Sequence, residues 1–179
     1  VRRGSGAVAP PVPGCVGARG GNSATGAPGG RRHHRKVCTL MKYVEHIRVR
    51  YNECDMQNVV FNGNYWTYAD DAVAQWVRAS LAAETGSTES HIDLASVGFD
   101  FMLKTATGTW HKGASYGDVV DAACSVTRWG NTSFDVAVEM SVRGEPVFDC
   151  TITYVSTTPG APTPTPVPST VRAALEREF

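Results

Sequence analysis

Between Tyr65 and Ala83 the chain has no proline, and its apolar side chains fall at three- and four-residue spacings. Tyr65, Tyr68, Ala69, Ala72, Val73, Trp76, Val77 and Leu81 share one helical face, so this stretch predicts a long helix with that face buried. Before it, Ile47-Arg48-Val49-Arg50-Tyr51 alternates apolar and charged residues as a half-buried strand does. The two are joined by a polar loop, Asn52 to Asn58, and an apolar patch, Val59-Val60-Phe61, that runs into helix-start residues Asn62-Gly63-Asn64. After the helix comes a polar break, Glu84 to Ser90, in which Gly86 suits a helix stop, and then a short helical turn over His91–Ser96.

From Val97 the pattern becomes that of strands. Val97 to Lys104 alternates in part and passes through threonine-rich sequence to Trp110-His111-Lys112, and Gly113 to Asp118 is a turn cluster. Val119–Trp129 and Ser133–Val142 read as strands about a Gly130-Asn131 hairpin turn; Gly144-Glu145 turns the chain into a last strand, Val147–Val155. On that strand Phe148, Cys150, Ile152 and Tyr154 lie on one face. A helix followed by antiparallel strands is α+β, with the helix on one sheet face. Thr157 to Pro168 reads as an extended linker, because prolines lack the N–H a ladder needs, and Ser169 as the cap of a final helix, Thr170–Glu178.

Charge divides the chain. Residues 1–40 hold seven basic side chains, much Gly and Pro, and no acid; the remaining ten basic residues against all 17 acids give the rest a formal charge of −7. The run Arg31-Arg32-His33-His34-Arg35-Lys36 is short and lacks the interleaved aromatics of a nucleic-acid site. The segment is also too rich in Gly and Pro for an amphipathic transit helix. Residues 1–40 are expected to be a disordered or mis-assigned extension with Met41 as the start, residues 41–158 one domain, and 159–179 a Pro-rich segment with a short helix. No run suits a secretion signal or a membrane span, and the five cysteines are odd in number with no C-x-x-C pair. The expectation is a cytoplasmic protein with reduced thiols, no zinc site, no membrane and no nucleic-acid partner.

The candidate chemistry lies in the loop before the helix. Asp55 is a carboxylate feeding directly into a helix N-terminus, where backbone N–H groups and partial positive charge polarise an oxygen. That pairing suits acyl transfer. The other reading of these residues is that Asp55 only turns the loop. Cys54 beside it is a packing residue, since a neighbouring acid opposes thiolate formation. His91 is isolated and reads as a loop histidine.

The stretch Tyr51-Asn52-Glu53-Cys54-Asp55-Met56-Gln57-Asn58-Val59-Val60-Phe61-Asn62-Gly63-Asn64-Tyr65 resembles the signature of the hotdog-fold acyl-CoA thioesterases of the 4-hydroxybenzoyl-CoA thioesterase family. Gly117-Asp118, the hairpin Gly130 to Phe134 and the closing Pro-Val-Pro-Ser-Thr-Val-Arg-Ala-Ala-Leu are similar to later parts of that family. The resemblance implies an antiparallel sheet wrapped around one long helix. It implies hydrolysis of an acyl-CoA to a carboxylic acid and free CoA, with Asp55 as nucleophile or general base. Backbone N–H groups at about Asn62, Gly63 and Asn64 would polarise the thioester oxygen, and Tyr65 and Asp70 would shape the pocket. It further implies a homodimer or homotetramer with the site at a subunit interface, and no metal or cofactor. Three positions depart from the family: Asn58 replaces a glycine, Glu53 a commoner Asp, and Lys112-Gly113 a proline-containing turn. The departures leave open a non-catalytic acyl-CoA-binding hotdog protein. A dehydratase of acyl thioesters would need a histidine near the helix, and none lies between His46 and His91.

Overall fold

The computed structural model describes residues 43–88 and 92–177; the basic extension 1–40, Met41 and His91 lie outside the described residues. Six strands form one antiparallel sheet: β1 (Tyr43–Arg48), β2 (Asp100–Trp110), β3 (Val119–Trp129), β4 (Ser133–Val142), β5 (Glu145–Thr158) and β6 (Ala161–Pro164). Two α-helices, α1 (Asn64–Thr85) and α2 (Ser169–Leu175), complete the described chain. The strand order is β1-β3-β4-β5-β2, with β6 added on β5, so the last three long strands meander and the two earlier ones close the flanks.

All eight residues of the predicted apolar stripe on α1 are buried. Ala69 and Ala72 let the helix axis come close to the sheet, while Val73, Val77 and Leu81 fill the space between them. Each of these three large side chains, fully buried, contributes on the order of 1.5–3 kcal/mol. The sheet answers with inward residues at every second position: Val120, Ala122 and Cys124 on β3; Phe134, Val136, Val138 and Met140 on β4; Phe148, Cys150, Ile152 and Tyr154 on β5. Trp76 and Phe99 belong to this core, whereas Trp66 and Phe101 are partly buried at its border. The helix ends at Gly86, whose φ of 68° is the left-handed stop expected of a glycine there.

Several boundaries differ from the pattern reading. The first strand starts at Tyr43 and ends at Arg48, and Tyr51–Glu53 forms a 3-10 turn, closed by the Arg50 amide donating to the Glu53 carboxylate at 2.7 Å. Val97 and Gly98 belong to a second 3-10 turn, capped by the Asp93 side chain and released by Gly98 at φ 68°. β2 then runs through the threonines to Trp110, because an exposed edge strand accepts β-branched polar residues. The proline-rich segment is a strand in part: Ala161 and Pro164 face Thr158 and Thr157, and the Thr165 amide donates to the Ser156 carbonyl at 2.9 Å. Proline lacks only the donor, so an edge strand that uses its carbonyls tolerates it. Pro168, not Ser169, occupies the cap of α2, and no side chain caps that helix. Helix α2 instead buries Val171, Ala174 and Leu175 and sets the Arg172 guanidinium 4.8 Å from the Trp129 ring centre, with a hydrogen bond to the Gly130 carbonyl.

Gly108 on β2 sits under rings. A Cβ there would stand 2.7 Å from Phe148 Cζ and 2.8 Å from Trp66 Cη2, so Gly108→Ala is expected to destabilise by about 1–3 kcal/mol. The check is a lower urea midpoint at unchanged slope. On the outer sheet face Asp135 takes two bonds from Arg128, at 2.6 and 2.9 Å, and one from the Thr153 hydroxyl at 2.8 Å. The Arg128 hydrogen bond chiefly holds the Asp135 carboxyl below its ordinary value. A lowered carboxyl pKa stabilises the fold above the ordinary carboxylate range, and that stability is lost as pH falls through the lowered value. Arg128→Gln should therefore lower the unfolding midpoint at pH 7 and matter progressively less as pH falls below the ordinary carboxylate range, as urea titrations across that range would show.

Candidate active site

The loop between β1 and α1 is held at both ends. At its start the Val49 amide donates to the Asp118 carbonyl at 2.9 Å, and Gly117 returns a bond to the Val49 carbonyl at 3.2 Å. The turn 113–118 therefore backs the loop. On the other side Val60 N–H donates to the Ala114 carbonyl at 2.8 Å, and Val59 bridges Ser115. The approach is so close at Gly113 that a Cβ would lie 2.8 Å from Val59 Cγ1, which accounts for glycine at that departure from the family pattern.

Within the loop Asp55 sits at the head of a tight turn. Its amide donates to the Val59 carbonyl at 2.9 Å, its carbonyl accepts from Asn58 N–H at 3.0 Å, and its carboxylate Oδ1 accepts from Gln57 N–H at 2.8 Å. Closing this turn requires a left-handed residue, and Asn58 supplies it at φ 63°. Asparagine is among the few non-glycine residues that tolerate that conformation, so the exchange for glycine keeps the turn. The two arms of the loop are stitched together by a Cys54–Val60 bridge and by the Phe61 amide, which donates to the Glu53 carbonyl at 2.9 Å. Asp55 is half-buried on one arm; Asn62 and Gly63 are exposed on the other.

The start of α1 has a specific set of engaged and unengaged donors. The Asn64 amide donates to the Phe61 carbonyl at 2.8 Å, and its side-chain Nδ2 to the Glu53 carbonyl at 2.8 Å. The amides of Asn62 and Gly63 donate to no partner among the described residues. Of the three positions singled out from the sequence, two thus keep a donor available and Asn64 serves as a brace. Tyr65 is buried, and its hydroxyl accepts from the Ala114 amide at 2.9 Å, so it supports the backing turn. Asp70 is exposed and accepts the Tyr154 hydroxyl at 2.8 Å; it lies about 9 Å along the helix axis from Asn64, apart from the loop.

Two residues that pattern reading leaves unassigned belong to this site. Glu53 Oε2 accepts both the Arg50 amide at 2.7 Å and the Tyr68 hydroxyl at 2.6 Å. Burial first, and then the Glu53 carboxylate, hold the Tyr68 phenol above its ordinary value, so it remains a donor at neutral pH. The available signal was the Tyr hydroxyl on an otherwise apolar stripe, which needs a partner when buried. Beside these residues a cleft of about 620 Å³ opens between the end of β1 and α1, lined by Arg48, Arg50, Tyr51, Glu53, Tyr68 and Tyr116 among others. Asp55 is not among the residues that line that cleft. Among the described residues no three His, Cys, Asp or Glu side chains converge as a metal site, and no helix is long and apolar enough to cross a membrane.

The family model of the thioesterase superfamily matches residues 57–148, starting two residues after Asp55. A gentisyl-coenzyme A thioesterase of known structure superposes with a TM-score of 0.62 at 21% identity, covering 75% of this chain and 100% of that one. A 1,4-dihydroxy-2-naphthoyl-CoA thioesterase from Synechocystis gives 0.61 at 17% identity over 75% and 95%. A thioesterase from Thermus thermophilus, solved with coenzyme A and zinc, gives 0.60 at 17% over 74% and 90%. No curated protein sequence matches the chain. At such identities the superpositions establish the fold, an antiparallel hotdog sheet around a long helix, while the family model covers more than half of the chain. The chain belongs to the thioesterase superfamily and is a thioester hydrolase of hotdog fold.

Proposed function

We infer that the protein hydrolyses acyl-CoA thioesters, with Asp55 as the reacting carboxylate and the amides of Asn62 and Gly63 as the oxyanion site. The observation that carries this reading is their placement. A carboxylate and two donors that are unengaged among the described residues stand on opposite arms of one cross-stitched loop, at the N-terminus of a 22-residue helix. Attack on a thioester carbonyl puts negative charge on its oxygen, and fixed N–H donors at a helix start stabilise that charge without reorganising. Asp55 acts in one of two ways. As general base it takes a proton from the attacking water; as nucleophile it forms a mixed anhydride that water then cleaves. In both, CoA leaves as the thiolate.

The surface around the loop supports a CoA ester as substrate. Arg128 is paired with Asp135 and Arg143 with Asp118, and Arg78 borders a separate depression with Asp93 and Asp100. Arg48 and Arg50 line the cleft next to the loop. The edge strand β2 supports a homodimer. Its outer edge has no strand beside it among the described residues, and Met102, Leu103 and Trp110 on it are 52%, 51% and 44% exposed. An unpaired edge that carries exposed apolar side chains calls for a cover, and a second copy provides one.

Two outcomes are expected. Thiol release from a panel of acyl-CoA esters should show turnover by the parent, and Asp55→Asn should lose two or more decades in kcat with KM little changed. A folded parent that binds CoA esters without releasing thiol would leave a binding protein instead. Leu103→Arg should convert the parent dimer to monomer in light scattering and lower activity with it; a parent that is monomeric and active would remove the interface from the reading.

A further inference from the structure

We propose that Glu53 is a positioning residue that holds Asp55 in register with the amides of Asn62 and Gly63. The inference rests on the assignment of those groups above, and adds the part that spaces them.

Glu53 is joined to the exit of β1, to α1 and to the far arm of the loop. Its carboxylate takes the Arg50 amide at 2.7 Å, which closes the 3-10 turn at the exit of β1. The same oxygen takes the Tyr68 hydroxyl at 2.6 Å, which ties that turn to the second turn of α1. Its backbone carbonyl takes the Phe61 amide at 2.9 Å and the Asn64 side chain at 2.8 Å. Asp55 follows two residues later on one arm, and Phe61 immediately precedes Asn62 and Gly63 on the other. The distance from carboxylate to oxyanion donors is therefore set through Glu53.

Its acceptor geometry, rather than its charge, is matched to that task. The side chain is 17% exposed, and its other oxygen stands 4.0 Å from Arg50 Nε, a guanidinium that is itself 78% exposed. The work falls on two directed hydrogen bonds to one oxygen, which an amide oxygen reproduces. A shorter or apolar side chain does not reproduce it. Tyr68 lies in the core stripe at 5% exposure, so a lost carboxylate leaves a buried hydroxyl without its acceptor and frees the loop from the helix.

Displacement of a reacting group by about an ångström costs on the order of a hundredfold in rate. The test compares steady-state hydrolysis of the best acyl-CoA substrate by the parent, Glu53→Ala, Glu53→Gln, Tyr68→Phe and Asp55→Asn, with circular dichroism and melting curves on each. Glu53→Ala should lower kcat by about ten- to a hundredfold while KM moves less than threefold. Glu53→Gln should recover at least a third of the parent kcat, and Tyr68→Phe should fall between. In the Asp55→Asn background Glu53→Ala should have no further effect on kcat, because it acts through Asp55. A Glu53→Ala enzyme with parent kcat, or an equal loss in both backgrounds, would overturn the inference. If Glu53→Ala does not fold, Tyr68→Phe in the two backgrounds decides by the same criterion. Full activity of Asp55→Asn would instead sink the catalytic assignment, whatever Glu53 does.

Discussion

Burial of one face of α1 against the sheet is the constraint from which the rest follows. Tyr65, Ala69, Ala72, Val73, Val77 and Leu81 lie within 1% of complete burial, so the helix can neither rotate nor slide without exposing apolar surface. That fixes where its first turn stands relative to β3, β4 and β5. The loop before the helix is then attached by individual hydrogen bonds, each worth only about 0.5–1.5 kcal/mol net. Such bonds cannot place a helix, but they can place a loop on a helix that is already placed.

The same division of labour runs through the backing turn. Gly113 gives up its side chain so that Val59 can approach, Gly117 takes a φ of 85° to turn the chain, and the Asp118 carboxylate accepts the Ser115 amide at 2.9 Å. Three small adjustments let a second loop support the first, with the Tyr51 and Tyr116 rings meeting edge-on across their junction. Backbone pairing thus contributes much of the rigidity at the site, while the aromatic residues Trp66, Trp110 and Phe148 pack edge to face or tilted beside it with ring centres 5.0–6.0 Å apart.

Much of this was legible in the residues. The α1 stripe, the helix stop at Gly86, the inward face of β5 and the hairpin at Gly130-Asn131 were all read correctly, because periodicities of 3.6 and 2 and the needs of turns act locally. The failures were non-local. Nothing near Ile47 says that Val49 and Arg50 will be drawn toward Asp118 and Glu53, and nothing near Pro162 says that the end of β5 will lack a neighbour for it to pair with. The sheet order, with β2 returning to the far side of β5, is likewise invisible in local patterning. At the site, Asp55 and the helix start stood out by composition and by family resemblance. The role of Glu53 did not, since its partner Tyr68 lies 15 residues on and looked like one more core aromatic.

The thiols of β3 and β5 carry a consequence of their own. Cys124 and Cys150 are buried opposite α1, and desolvation pushes each thiol up to about 12. At mildly alkaline pH very little of either is thiolate, the form that reacts with electrophiles. Alkylating and disulfide-exchange reagents therefore meet these two cysteines only when the sheet opens. Among the described residues Cys54 alone is partly accessible. The fold thus has a built-in chemical clock: the rate at which label enters Cys124 and Cys150 reports how often the core comes apart, independently of anything that happens at the loop.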